Sequence, residues 1–254
     1  MSRPKAIVAE DEGPLRQELV GMLTGLWPEL DIVAECSDGL AALEAIEALR
    51  PDVAFLDIRM PGVSGLEVAR AAADARCQVV FTTAYEEYAV RAFDESAVDY
   101  LLKPISRDRL SRSLERVRER MGSGGMSADV ASLITKLQSH LPRPASQGIK
   151  WITASAGNTV KMHLIDEVLF FQAQAKYTRV VTGSEEGYIR ASLKELLGSL
   201  DPEAFWQVHR SVIVRVGAIR AVERDDDGKL NLTLRGRPDV LPVSSALQYR
   251  FRGM

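Results

Sequence analysis

The 254-residue chain carries only two cysteines, Cys36 and Cys77. That is too few for a disulfide-stapled secreted scaffold or for a four-thiolate metal site. Its three histidines, His140, His163 and His209, lie far apart, so no local zinc motif is present. No apolar run approaches the ~18 residues that a bilayer crossing needs, and Met1–Lys5 leads directly into a strand-like run in place of a signal-peptide core. A soluble, cytoplasmic protein without membrane insertion is the expectation. Hydrophobic residues at 46% and charged residues at 26% exclude a disordered, collagenous or fibrous chain. At roughly 100–200 residues per domain, the length fits two modest domains or one large one.

Charge is also scarce in net terms, at −3 for the whole chain. Divided at Gly122, however, the first part holds 15 basic against 22 acidic residues, a balance of −7, and the second 17 against 13, a balance of +4. A basic second part is what attraction to a phosphate backbone requires, although +4 alone is modest.

Five short runs of β-branched and apolar residues punctuate the first part: Ala6–Ala9, Ile32–Ala34, Val53–Leu56, Val79–Phe81 and Val98–Leu102. They predict strands buried on both faces. Helical spacing recurs between them, in Leu15, Leu19, Met22, Leu23 and Leu26, then Leu43, Ile46 and Leu49, and finally Leu110, Leu114, Val117 and Met121. Ser64 with Glu67 reads as a capping box, and Ser106 as an N-cap. Five alternations of strand and helix imply a doubly wound α/β fold on a five-stranded parallel sheet. Gly122-Ser123-Gly124-Gly125 then has linker composition. Val130, Leu133, Ile134, Leu137 and Leu141 fall on one helical face, ended by Pro142-Arg143-Pro144. This helix is expected either to make an interdomain or dimer contact or to pack on its own domain.

Beyond it the texture changes to short alternating runs: Thr159–Leu164, Val168–Gln172, Thr178–Thr182, Val212–Val214, Leu230–Leu234 and Val240–Val243. Turn residues separate them, and one short helix is opened by Ser192 with Glu195 as its box partner. The second part is predicted to be mostly β. The domain expectation is therefore 1–121, a linker with an amphipathic helix over 122–148, and a β-rich domain over 149–254.

In the first part Glu10-Asp11-Glu12 follows the first strand, Asp57 ends the third, Thr82-Thr83 end the fourth and Lys103-Pro104 ends the fifth. All four stations fall at carboxyl ends of strands in one parallel sheet, where functional groups converge. Clustered carboxylates repel one another unless a cation lies among them, and such oxygen ligands suit Mg²⁺. A lysine and a hydroxyl nearby can bind phosphoryl oxygens, and an aspartate can itself be the nucleophile. Taken singly, each residue has a plainer role, as a helix cap or a turn; the joint occurrence carries the argument.

The strings IVAEDE, FLDIRMPGVSGLE, VVFTTAYEEYAVRAF and VDYLLKPIS resemble the receiver domain of two-component response regulators. The resemblance implies that Asp57 accepts a phosphoryl group from a sensor histidine kinase. It implies that Glu10, Asp11, Asp57 and the Arg59 carbonyl hold Mg²⁺, that Thr83 is the switch hydroxyl, Lys103 the phosphate-binding lysine and Tyr100 the switch aromatic. It also implies a cis Lys103-Pro104 bond. Glu10 stands where many members have Asp. Asp57-Ile58-Arg59 lacks the second aspartate that phosphatases of the haloacid dehalogenase type use, which argues against a turnover enzyme.

In the second part Lys176-Tyr177-Thr178-Arg179 and His209-Arg210-Ser211 interleave basic, hydroxyl and aromatic groups suited to phosphate and base-edge contacts. A solvated strand face for Lys176 and Arg179, and a core position for His209, are the plainer readings. The strings IDEVLFFQAQAKYTRVVT, ASLKELLGSLDPEAFWQVHRSVIVRVGAI, VERDDDGKLNLTL and LPVSSAL resemble the LytTR-type DNA-binding domain, which inserts loops into successive major grooves. The resemblance implies contacts to double-stranded DNA from Lys176, Tyr177 and Arg179, from Arg210 and Ser211, and from Ser244 and Ser245. Asp166, Phe205 and Val214 become core or turn positions. The last turn, often basic in the family, is neutral here, and Arg250 and Arg252 are the residues available to compensate. Together these readings predict a transcriptional regulator that dimerises on phosphorylation, through the face formed by the receiver's fourth helix, fifth strand and fifth helix. A phospho-gated regulator whose second domain binds a protein is the alternative.

Overall fold

The computed structural model describes residues 3–84, 99–123, 149–157, 159–225 and 228–251. Two compact units divide the chain, Met1–Arg143 and Pro144–Met254. The expected amphipathic segment around Val130–Leu141 lies outside the described residues, as does the stretch between Tyr85 and Val98.

The first unit holds strands β1 (Lys5–Ala9), β2 (Asp31–Cys36), β3 (Val53–Asp57), β4 (Gln78–Thr83) and β5 (Asp99–Leu102). All pair in parallel, in the order β2-β1-β3-β4-β5. Helices α1 (Gly13–Leu26), α2 (Gly39–Leu49), α3 (Gly65–Asp74) and α4 (Arg107–Ser123) connect or follow them. β1 and β3 are the most deeply covered strands because both sheet faces carry helices. On one side Leu19, Leu23 and Trp27 from the α1 region meet Leu110, Leu114 and Val117 of α4 over Val8, Phe55 and Val80. Leu49, at the end of the α2 stripe, is exposed instead of buried.

The caps form as the sequence predicts. Ser64 Oγ accepts from the Glu67 amide and the Glu67 carboxylate accepts from the Ser64 amide. Ser106 Oγ accepts from the Arg109 amide at 3.3 Å. The β3–α3 loop is pressed against the end of β3. A Cβ on Gly65 would lie 2.0 Å from the Asp57 carbonyl oxygen, so only glycine fits.

The second unit is built on a seven-stranded antiparallel sheet of order β11-β12-β8-β9-β10-β6-β7. Its strands are β6 (Trp151–Ala156), β7 (Thr159–Leu164), β8 (Val168–Gln174), β9 (Tyr177–Thr182), β10 (Glu186–Ile189), β11 (Phe205–His209) and β12 (Val212–Arg215). A three-stranded sheet of β13 (Ile219–Arg224), β14 (Leu230–Leu234) and β15 (Arg237–Pro242) completes it. The short helix α5 (Leu193–Ser199) opens with the expected Ser192–Glu195 box. It covers one face of the large sheet through Leu193, Leu196 and Leu200 against Phe171, Val180 and Ile213. The small sheet covers part of the other face, with Leu230, Leu232, Leu234 and Leu241 against Phe170, Val181 and Val212. Four strands, β6, β10, β11 and β13, form where no strand run is evident in the sequence.

Candidate functional site

The strand order of the first unit reverses at β1, between β2 and β3, and in open α/β sheets ligands bind beyond the strand ends at such a point. The four predicted stations meet there. Glu10 follows β1 and is 2% exposed, and Asp57 ends β3 at 6%. Their carboxylate oxygens and that of Asp11 lie within 4.8 Å of one another. Lys103 Nζ reaches Glu10 Oε2 at 2.7 Å and Asp57 Oδ2 at 2.8 Å. The second Asp57 oxygen accepts from the Arg59 amide at 3.1 Å. Thr83 is buried at the end of β4, and its carbonyl accepts from the Lys103 amide at 2.7 Å. Lys103-Pro104 is cis.

Charge balance explains the state of these groups. Burial pushes the Glu10 carboxyl above its ordinary range; the hydrogen bond from Lys103 pulls it back, and the nearby Asp57 charge raises it again. Burial alone would lower the Lys103 ammonium, but its bonds to Asp57 and Glu10 together outweigh that and raise it. One ammonium thus stands against three carboxylates. That all-oxygen donor set fits a hard divalent cation such as Mg²⁺.

Several supporting contacts around the site were not evident in the sequence. Arg16 donates to the Glu10 carbonyl at 2.6 Å, holding the β1–α1 turn, and faces Glu35 at 3.6 Å. Thr82 is fully buried, and its hydroxyl has no partner among the described residues. Tyr100, half-buried on β5, is held from α4: Arg109 donates to its carbonyl at 2.9 Å and lies 5.2 Å from its ring centre. Arg109 and Arg116 also pair with buried Asp99 at 2.8 and 2.9 Å. No signal in the sequence links Arg109 and Arg116 to Asp99 and Tyr100, because those contacts depend on the packing of α4 against β5.

In the second unit the three predicted DNA-contact clusters lie at one end of the large sheet. Lys176 lies in the exposed β8–β9 turn and Tyr177, also exposed, opens β9. Arg210 and Ser211 form the β11–β12 turn, and the Ser211 carbonyl accepts from the Ala173 amide at 2.8 Å. The Ser244 amide donates to the Val208 carbonyl at 2.8 Å, bringing the last turn beside the second. His209 Nδ1 lies 2.8 Å from Ser211 Oγ, so the histidine is hydrogen-bonded as well as half-exposed. Ser244 is buried and Ser245 exposed. Phe205 and Val214 are core residues, and Asp166 occupies the short turn before β8, facing Arg215 at 3.3 Å. Arg250 stacks 5.5 Å from the Trp206 ring centre, and Arg252 lies outside the described residues.

Arg179 stands apart from that end. Its guanidinium meets Glu186 at 2.5 Å and Asp239 at 3.3 Å, the latter also held by Arg237 at 2.9 Å, and it lies 5.6 Å from the Phe170 ring centre. It ties β9 to β10 and to the small sheet.

Two family models cover most of the chain: a response regulator receiver domain over residues 6–115 and a LytTr DNA-binding domain over residues 158–254. An uncharacterized response regulatory protein of Vibrio cholerae is 43% identical, over 97% of both chains. The chain belongs to the LytTR-type response regulators. The transcriptional regulatory protein BtsR of Salmonella typhi is 35% identical and that of Escherichia coli K12 33% identical, each over 94% of both chains. This LytTR-type regulator is accordingly a phosphorylation-controlled, DNA-binding transcription regulator and not a metabolic enzyme. The reading of the second domain as a protein-binding module is not favoured. Among the described residues, no helix is long and apolar enough to cross a membrane.

Proposed function

We propose that Asp57 is the phosphoacceptor and that the surrounding residues are arranged for one transfer to it. The nucleophile is a carboxylate oxygen of Asp57. It bonds to phosphorus as the phosphorus–nitrogen bond of a kinase phosphohistidine breaks, and the departing imidazole nitrogen takes up a proton. Glu10, Asp11, Asp57 and the Arg59 carbonyl would hold Mg²⁺, which when bound neutralises charge on the transferring phosphoryl oxygens. Lys103 already spans Glu10 and Asp57, and it serves the incoming phosphoryl group as the donor it now gives to Asp57. Thr83, tied to Lys103 through its carbonyl, turns its hydroxyl toward the same group.

The observation that carries this reading is the Lys103 ammonium within 2.8 Å of two buried carboxylates. A receiver with this geometry is charge-poised, and adding a dianionic phosphoryl group must redistribute its hydrogen bonds. Phosphorylation then biases Thr83 and Tyr100 toward a second arrangement, because a ligand favours the state it binds better. The switch works against the hold of Arg109 on Tyr100. The shifted face beside β5 pairs two receivers, and two linked DNA-binding domains gain effective affinity without new contacts.

On the second domain, Lys176, Tyr177, Arg210, Ser211 and Ser245 form the proposed surface toward double-stranded DNA. Ser244 acts beneath that surface through its amide, and Arg179, away from it, through ion pairs that fix β9. The domain limits 1–121, 122–148 and 149–254 and a cytoplasmic location belong to the same proposal, as does a sensor histidine kinase as phosphodonor.

Acetyl phosphate labelling tests the first step. Asp57→Asn is expected to abolish incorporation in the presence of Mg²⁺ while leaving the fold intact. Undiminished labelling of that variant removes Asp57 from the role.

A further inference from the structure

The large sheet of the second domain ends at β7, and among the described residues nothing pairs with its outer edge. Exposed edges of this kind are templates for strand addition, and proteins usually blunt them with proline, bulges or outward charge. β7 reads Thr-Val-Lys-Met-His-Leu, with no proline and no bulge in its register with β6. Its one charge, Lys161, is on the opposite face and bonded to Glu185 at 2.7 Å. On the other face the register with β6 aligns Trp151 with Leu164, Thr153 with Met162 and Ser155 with Val160, and Tyr188 of β10 pairs with Ser155. Val160 and Met162 are each 66% exposed and Trp151 55%, with Leu164 and Tyr188 also open. The small sheet covers this same face only further in, around Phe170 and Val181.

We infer that β7 is a self-pairing edge, and that two copies of the regulator join their large sheets through antiparallel β7 strands centred on Met162. Backbone geometry sets this register. The Ala156–Thr159 pair closes the β6–β7 connection, so hydrogen-bonded and non-hydrogen-bonded pairs alternate from there. The outward N–H and C=O groups therefore belong to Val160, Met162 and Leu164. A two-fold axis at Met162 sets Met162 opposite Met162 of the second copy and Val160 opposite Leu164. Each pair exchanges two backbone hydrogen bonds, and all the apolar side chains meet on one face.

The occupant follows from this match. A helix laid on the apolar face, from this chain or another, would cover the side chains and leave the edge groups unpaired. An unrelated strand would gain nothing from the symmetric spacing of Val160, Met162 and Leu164. A two-fold pairing satisfies the edge groups, sets Val160, Met162 and Leu164 beside their symmetry mates, and closes on itself, giving a dimer and no fibre. Edge pairing buries the strand backbone and the flanks of Val160, Met162 and Leu164 and leaves Trp151 and Tyr188, one and two strands in, open on the face, so the contact is smaller than the ~1,000 Å² of a specific interface. Such a contact is weak alone and gains when DNA or paired receivers bring two copies together. It is independent of the receiver face proposed above.

Cysteine cross-linking of the full-length protein tests it. Cys36 and Cys77 are buried, with thiols pushed up to about 11 and about 12, so the native chain supplies no competing thiolate. Met162→Cys is expected to give a covalent dimer with a short bis-maleimide at micromolar protein. Val160→Cys alone is expected to give none, since its own copies lie about 13 Å apart along the paired strands. Val160→Cys mixed with Leu164→Cys should link. Met162→Glu should weaken self-association at least tenfold in sedimentation of the unphosphorylated chain. The inference is overturned if the thiol introduced by Met162→Cys reacts freely with a monofunctional maleimide yet never cross-links. It is equally overturned if that thiol is shielded in a monomer, or if Val160→Cys links as fast as Met162→Cys.

Discussion

Lys103→Met is the sharpest probe of the acidic rim. The side chain is 13% exposed and lies 2.7 and 2.8 Å from carboxylates that are themselves nearly buried. At an effective dielectric of about 20, each contact is worth roughly 6 kcal/mol of Coulomb energy, most of it offset by desolvation. Removing one partner of a buried pair usually costs about 3–5 kcal/mol. Here Glu10 has a way to limit the loss, because its carboxyl is already raised by burial and rises further once the lysine bond is gone. A net loss of about 3 kcal/mol follows, or a fall of about 10 °C in Tm for a domain of this size.

Two signatures separate this from a mere cavity. A carboxyl raised in the folded state makes that state bind more protons than the unfolded one, so stability falls as pH rises above the ordinary carboxylate range. The variant should therefore gain more Tm than the parent as pH falls toward the carboxylate range. Mg²⁺ should also stabilise the variant more than the parent, by up to about 2.7 kcal/mol at a hundred times its Kd. Scanning calorimetry with and without Mg²⁺ reads all three quantities, and the transition of the second domain provides an internal control. A loss below about 1 kcal/mol, or equal Mg²⁺ stabilisation of both proteins, refutes the charge argument.

The remaining predictions are simpler. Thr82→Val removes a buried hydroxyl that has no partner among the described residues, so the receiver should gain about 1 kcal/mol; a lower Tm contradicts this. Gly65→Ala sets a methyl 2.0 Å from the Asp57 carbonyl, against backbone that cannot yield cheaply. It should cost about 1–3 kcal/mol and slow acetyl phosphate labelling by displacing Asp57. Arg210→Ala should weaken duplex binding and reduce the slope of log K against log salt by about 0.9; an unchanged slope removes Arg210 from the phosphate contacts.

The first domain was more legible in the sequence than the second, and the cause is burial. β1, β3 and β4 are covered on both faces, so each is a nearly unbroken apolar run. The strands of the second domain that went unread are short or half-exposed. β6 carries alanine, serine and threonine, β10 has four residues including a glycine, and β13 ends in Glu223-Arg224 on an exposed edge. Period-two alternation needs several clear apolar positions, and these strands offer too few. The rim stations could be read because a parallel sheet sends every strand's carboxyl end to one side, whatever the side chains do.

What the sequence could not reveal is which cations are already engaged. Arg179 and Arg210 carry the same group, each beside a turn of the second domain's large sheet. Arg210 is in an exposed turn, whereas Arg179 meets Glu186 seven residues away and Asp239 sixty residues away. Breaking those bonds to reach a phosphate would leave Asp239, already shared with Arg237, with only one cation and a partly buried carboxylate. Arg109 makes the same point in the receiver. Only the packing of α4 aims it at Asp99 and Tyr100, where it becomes part of the resting state that phosphorylation must overcome. In both domains, then, local sequence determines which charges exist, and contacts distant along the chain decide which of them remain available to a ligand.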